Sequence, residues 1–381
     1  MFADAANIIG NLNGGTTGNT LDLSAYSTAV SVNIAASTST GIGGTFSNLQ
    51  TFVGNDSTTA HLSTITGPST ATNTWDITSI NAGNINSSAY TFSGFGNISG
   101  DSGTSNTYKF SNGVVIKGTL NGGDPNSDVL DLTAYTTATD VTLTGSSAGG
   151  YSGTTPAVAG GFTNITEIDA AASGGSAIDS TLTLENVSTS VALSGSTALY
   201  GFNGTSNDGT FTLTFKNFDT IAGGTGGGVT NSLTAESAVT NVFTINSSNA
   251  GTLADGTATL NFSNFANLTG GTTSGSNAFD FTLTGSVSGN IIGGASVPNT
   301  IDLTGLTTQA ETDVTLSAIG TNEGYDGTLS TSTIGGHFDN ITVFNDTTTT
   351  NTLTGPSLAT TWTIGSSANT GTVSDSRFSS E

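Results

Sequence analysis

Residues 11–34 read NLNGGTTGNTLDLSAYSTAVSVNI, and the phrase returns at 119–145 as TLNGGDPNSDVLDLTAYTTATDVTLTG and at 290–318 as NIIGGASVPNTIDLTGLTTQAETDVTLSA. A Gly-rich stretch and then an F-x-N phrase follow each one: Phe46-Ser-Asn48, Phe162-Thr-Asn164 and Phe338-Asp-Asn340. A second phrase, TITGPSTATNTWDI at 64–77, is answered by LTGPSLATTWTI at 353–364, so Trp75 and Trp362 share one slot, which Phe243 fills in the middle copy. Asn81-Ala-Gly and Asn249-Ala-Gly come next, followed by Phe92-Ser-Gly-Phe-Gly-Asn-Ile and Phe262-Ser-Asn-Phe-Ala-Asn-Leu. Recurrence of this kind marks a repeat architecture and is settled before any other reading. The copies divide the chain into 1–117, 118–288 and 289–381, the last cut short. The second holds an additional partial unit over about 181–228 with its own Phe215-Lys-Asn217.

Inside each copy, four to six residues alternate apolar and polar, as in Val30-Ser-Val-Asn-Ile34, Val141-Thr-Leu-Thr144 and Phe279-Asp-Phe-Thr-Leu283, before Gly-Gly, Asn-Gly or Ser-Gly interrupts. Period-two alternation between turn residues signals short strands. No helical stripe occurs, and the excess of β-branched Thr, Val and Ile favours pleated backbone. Strands recurring at roughly 20-residue intervals, without hairpin turns of constant spacing, predict an all-β, parallel β-solenoid in which each turn stacks on the last at about 4.8 Å. The repeated aromatics Phe46, Trp75, Phe92, Phe162, Phe215, Phe243, Phe262, Phe338 and Trp362 are its expected core. A string of antiparallel sandwiches is the competing architecture.

Composition narrows the function classes. The 381 residues include 53 Gly, 5 Pro, no Cys and 8% charged residues, with 19 Phe, 7 Tyr and 2 Trp supplying a thin core. Disordered chains lack such aromatics. Twenty-seven acids face only Lys109, Lys117, Lys216 and Arg377, a net charge of −23 that repels nucleic acid. Without cysteine there is neither a disulfide nor a thiolate metal site. No apolar run approaches the ~20 residues of a membrane-spanning helix, and the first residues lack the basic and apolar regions of a signal peptide.

The phrases at 14–26, Ser31-Val-Asn-Ile34, Gly43-Gly-Thr-Phe-Ser-Asn-Leu49 and Trp75-Asp-Ile…Asn81-Ala-Gly resemble the long repeats of bacterial β-strand-repeat surface proteins, the filamentous-haemagglutinin-like adhesins. Those repeats grade into haemolysin-type calcium-binding sequences. The resemblance implies a right-handed parallel solenoid exported to the cell surface. Calcium rolls need G-G-x-G-x-D-x-U-x, with acids and carbonyls from successive turns on the ion. Here Asn19 replaces the acid in the first copy and Asn299 in the third, and only Asp124, Asp128 and Asp131 remain as a calcium ligand set. Exposed acidic turns are the favoured reading, and no other cofactor is expected.

Catalytic chemistry has little to work with. The two histidines have no cysteine and no G-x-S-x-G elbow to work with, so acyl-transfer catalysis is not expected. Asp22, Asp131 and Asp302 recur at one repeat position, as a structural residue copied with its repeat would, and no catalytic residue is assigned. Trp75, Trp362 and Phe243 lie in alternating strands, where core filling outweighs a sugar-stacking platform. The sequons at Asn97, Asn164, Asn203 and Asn267 gain meaning only in a source that glycosylates its surface proteins. What emerges is a non-enzymatic, extracellular structural or adhesive protein. A binding module for surface carbohydrate, a host surface or ice is the alternative, although no regular Thr-x-Thr face for ice is visible. Because neither end reads as a polar cap, head-to-tail self-association or continuation in a longer chain is expected.

Overall fold

The computed structural model describes residues 1–56, 62–123, 127–175, 177–295, 298–306, 312–320, 324–346, 351–367 and 370–375. Every element among them is a β-strand, and none is a helix. Two compact units are distinguished: residues 1–185 with 198–220, and residues 186–197 with 221–381.

In the first unit successive strands alternate between two sheets. One sheet takes Thr20–Asp22, Thr51–Val53, Ser105–Phe110, Val129–Asp131 and Glu167–Asp169. The other takes Ser31–Asn33, Thr64–Thr66, Asn97–Ser99, Leu120–Asn121 and Thr181–Thr183. Neighbours from different turns run parallel and in register: Ile98 lies beside Leu120 and Thr107 beside Val129, each pair 22 residues apart. Each of these rows is open. The long parallel sheets accord with the expected class.

The even 20-residue spacing does not hold. At intervals a single strand is replaced by an antiparallel three-strand meander: Thr72–Ser79, Ala82–Ile85 and Tyr90–Ser93 in one sheet, Val141–Ser147, Gly150–Thr155 and Val158–Ile165 in the other. The last strand of each meander pairs parallel with the preceding turn (Phe92 beside Phe52, Phe162 beside Leu120), and its first strand pairs with the following one (Trp75 beside Tyr108, Val141 beside Leu182). The chain thus steps forward, doubles back and steps forward again. Meanders placed now in one sheet and now in the other keep the two rows growing together.

The second unit repeats the scheme. Ser190–Thr197, Ser232–Thr234, Asn267–Thr269 and Ile291–Ile292 form one parallel row, which leads into the meander Val314–Ile319, Tyr325–Leu329 and Phe338–Ile341. Asn241–Ser247 with Ala250–Ala254 and Thr259–Ser263 makes the meander of the other row, continued by Asn277–Thr282, Asn299–Gly305 and Val343–Asn345.

The F-x-N phrase closes each meander. Its Asn adopts a left-handed conformation, with φ of 57° at Asn48, 56° at Asn164, 65° at Asn217, 62° at Asn264 and 60° at Asn340. Asn tolerates this region better than other residues with a Cβ. Gly94 takes the place in the remaining phrase, where a Cβ would stand 2.6 Å from Gly54 O. Apart from Phe46, the Phe of the phrase lies opposite a glycine of the antiparallel strand before it: Phe92 and Gly83, Phe162 and Gly153, Phe215 and Gly204, Phe262 and Gly251, Phe338 and Gly327. At Gly153 and Gly327 a Cβ would meet the Phe ring at 2.6 Å. Glycine therefore clears the middle strand so that the ring can lie across it.

Candidate functional site

Eight of the nine expected core aromatics are buried: Phe46, Trp75, Phe92, Phe162, Phe215, Phe243, Phe262 and Phe338. Trp75 stacks on Tyr108 at 5.7 Å and receives the edge of Phe92 at the same distance. Trp362 departs from the expectation and is 44% exposed. Its hairpin, Thr360–Ile364 with Gly371–Asp375, pairs only with itself among the described residues.

The recurrent aspartates act alike at a corner. Asp22, Asp131 and Asp302 each accept, through Oδ1, the backbone N–H and the hydroxyl of the residue two positions on: Ser24 at 3.0 and 2.6 Å, Thr133 at 3.0 and 2.6 Å, Thr304 at 2.8 and 2.5 Å. Such a side-chain-capped turn ends a strand without further partners. On the outer face of the first unit, Asp131 belongs to a row of register partners, Asp76, Lys109, Asp131, Asp169 and Lys216. Lys216 bridges Glu167 and Asp169, the latter at 3.2 Å. Two of the four cations are thus spent on one acidic row. Exposed pairs of this kind stabilise little but penalise a slipped register.

Of the three expected calcium ligands only two are described, and they face different ways. Asp124 lies outside the described residues, Asp131 faces outward, and Asp128 is fully buried at the end of an amide ladder. Among the described residues no group of three His, Cys, Asp or Glu converges on a metal position. In the ladder, Asn73 donates to Asn106 Oδ1 at 3.4 Å, and Asn106 donates through its backbone N–H and Nδ2 to Asp128 Oδ1 at 2.8 and 3.0 Å. The second unit builds the same ladder from Asn241, Asn277 and Asn299, joined at 3.1 and 2.9 Å. Asn299 Nδ2 donates to Gly294 O at 2.7 Å and Asn340 O at 2.9 Å. Asp128 has no such donor when ionised, and its Oδ2 is buried without a hydrogen-bond partner. Asp128 Oδ2 and Asn164 O both border the space above Gly122, as the side chain of Asn299 and Asn340 O border that above Gly293. Burial raises its pKa to about 6, against the two donations from Asn106. A proton on Oδ2 makes Asp128 the isostere of Asn299.

A second buried carboxyl escaped the sequence reading. Glu185 is sealed from solvent near Asp208, with neither carboxyl oxygen in a hydrogen bond of ordinary geometry. Burial and the neighbouring Asp208 push it up to about 7. Asp208 is held low despite its burial because Ser146 Oγ and the N–H groups of Thr210 and Phe211 (2.8 Å each) donate to it. Tyr151 closes the cluster, its hydroxyl donating to Phe211 O at 3.2 Å, and its ionisation is disfavoured by burial. This pair splits acid and base roles between two carboxyls, yet the Glu185 oxygens cannot be reached by a substrate. No sequence pattern marks the pair, whose members are joined only through the fold.

One accessible feature of the second unit is a groove of about 730 Å³ lined by Leu316, Tyr325, Ile341, Phe344, Trp362 and Val373, among others. Leu353 and Ile364 beside it are exposed. Comparison with protein-family models, curated proteins and solved structures finds no match.

Proposed function

We propose that this chain is a structural or adhesive repeat protein of the cell surface, each unit a β-solenoid whose stacked turns build a rod, stalk or filament. The observation that carries the reading is the ladder itself: parallel register partners from successive turns, filled inside by Phe, Leu and Ile and lined outside by Thr, Ser and Asn. Such stacking gives a stiff, one-dimensional body whose stability adds turn by turn. The sequence resemblance to surface adhesins supports export and is consistent with right-handed coiling. The reading requires neither a catalytic residue nor a bound cofactor, and the sealed carboxyls of Glu185 and Asp128 serve folding in it. Electron microscopy of the purified chain over a concentration series tests it: elongated particles or filaments are expected, and compact spheres at every concentration overturn it.

The adhesive variant draws on one further observation. Outward hydroxyls and amides align across turns, Thr51 Oγ1 to Thr91 Oγ1 at 2.9 Å and the register series Asn33, Thr66, Ser99 and Asn121. An outward row of hydroxyls and amides of that kind suits carbohydrate. Saturable glycan binding that is lost when Thr66 and Ser99 become Val supports it, and a blank glycan array removes it.

A further inference from the structure

The two buried carboxyls of the first unit are compensated differently. Asp128 receives both donations of Asn106 on one oxygen, and its other oxygen borders the same space as Asn164 O, so a single proton satisfies it. Glu185 has no such surroundings. It is 6% exposed, and Oε1 and Oε2 are both sealed from solvent without a hydrogen bond of ordinary geometry. A proton shared with Asp208, whose side chain acts on Glu185, accounts for one of those oxygens. The other stays desolvated and uncompensated, at the cost of a buried polar group left unpaired.

The oxygens around Glu185 come from four separate segments of the first unit. Glu185 follows the strand Thr181–Thr183, which pairs parallel with the meander strand Val141–Ser147. From that meander strand Ser146 Oγ donates to Asp208 Oδ2, while the N–H groups of Thr210 and Phe211 donate to Oδ1. Asp208 thus keeps acceptor capacity on Oδ2. Tyr151, on the middle meander strand, donates to Phe211 O at 3.2 Å and lies 3.5 Å from Ser206 O. It stands close enough to Glu185 and Asp208 for the charge of both to oppose its ionisation. Ser206 supplies an observation independent of the acids: it is fully buried beside Tyr151, two residues before Asp208, and its Oγ has no partner. Three sealed oxygens, two of Glu185 and one of Ser206, therefore meet no group of the protein that satisfies them.

We propose that Glu185, Asp208 and Ser206 hold a divalent cation, and that the ion is calcium. Two carboxylates balance its charge, and a set made only of carboxylate, hydroxyl and carbonyl oxygens suits a hard cation. Calcium accepts irregular geometry, whereas magnesium keeps several waters that a sealed position excludes. The ion fastens the 201–211 segment to the turn that carries Glu185, and it is taken up as the chain folds around it. The site is separate from the loop of Asp124, Asp128 and Asp131. With two carboxyls it forms no cluster of three acids, so neither a sequence motif nor a count of acids marks it.

Terbium luminescence of the full chain at pH 8 tests it, because terbium substitutes for calcium and emits when an excited tyrosine lies beside it. Refolding with terbium is expected to give a saturable emission on tyrosine excitation, displaced by calcium and not by the same concentration of magnesium. Glu185→Gln keeps the shape of the side chain and removes its charge, and is expected to weaken terbium binding by at least about tenfold. Tyr151→Phe is expected to dim the emission while calcium still binds. In urea unfolding, calcium is expected to raise the midpoint of the parent and of Asp128→Asn alike, and to leave that of Glu185→Gln unmoved. Strand-rich circular dichroism of Glu185→Gln shows that the variant has folded. Absence of both the emission and the calcium shift in the parent overturns the proposal and leaves a shared proton at the pair. A calcium shift that survives in Glu185→Gln, or one lost in Asp128→Asn, places the ion elsewhere and overturns it as well.

Discussion

Replacing Asp128 by Asn asks whether the buried carboxyl works as a neutral donor. Its folded pKa of about 6 stands above the ordinary carboxyl value of 3.8, so the folded chain binds the proton more tightly than the unfolded chain. Stability from this group is complete below pH 4 and is lost as pH rises through about 6. Roughly two pKa units at 1.36 kcal/mol each give about 3 kcal/mol between pH 4 and pH 8. Asn supplies at every pH the donor that Asn299 uses toward Asn340 O. Asp128→Asn is therefore expected to match the parent within about 0.5 kcal/mol at pH 4 and to exceed it by about 1–3 kcal/mol at pH 8. Urea unfolding at both pH values, with the slopes checked for equality, measures the difference. A variant less stable than the parent at pH 8, or an equal difference at both pH values, refutes the argument. Calcium that stabilises the parent but not the variant at pH 8 would put a cation where the proton is assigned.

Three further outcomes follow from the packing. Trp75→Ala should cost about 3–5 kcal/mol in the same assay, as for a fully enclosed aromatic, whereas Trp362→Ala should cost the monomer under about 1 kcal/mol. Asn164→Ala should destabilise by about 1 kcal/mol because its φ is 56°, and Asn164→Gly should recover most of that loss. Gly251→Val should lower the melting temperature more than either, since its Cβ would lie 2.1 Å from Thr244 O.

The strands were legible because alternation with β-branched residues survives in every copy, and so was the burial of Phe92, Phe162 and Phe262, repeated at a fixed place in their phrases. The F-x-N phrase was visible as a recurrence, but its geometry was not. Gly83 precedes Phe92 by nine residues and Gly251 precedes Phe262 by eleven, so the pairing has no constant spacing to read. The meanders stayed hidden for the same reason: their turns vary in length, and the parallel partners that flank them lie far apart, as Leu120 and Phe162 do. The burial of Asp128 on an amide ladder is not legible in its calcium-like loop, because a buried carboxyl and an exposed one in a turn share the local sequence. Trp362 carries the same local phrase as Trp75. Its exposure is set by which strands lie over it, and local sequence does not encode that.

The parallel, in-register stacking of successive turns is the central claim, and a chain without cysteine allows it to be tested by cross-linking. Thr66 and Ser99 are outward register partners 33 residues apart, whereas Asn97 lies on the same strand and face as Ser99 but opposite Thr64. A disulfide needs Cα atoms within about 7 Å. The double variant Thr66→Cys with Ser99→Cys should oxidise quantitatively in the native chain, and Thr66→Cys with Asn97→Cys should remain reduced. Failure of the first pair to close, or closure of the second in its place, contradicts the fold on which every inference above depends.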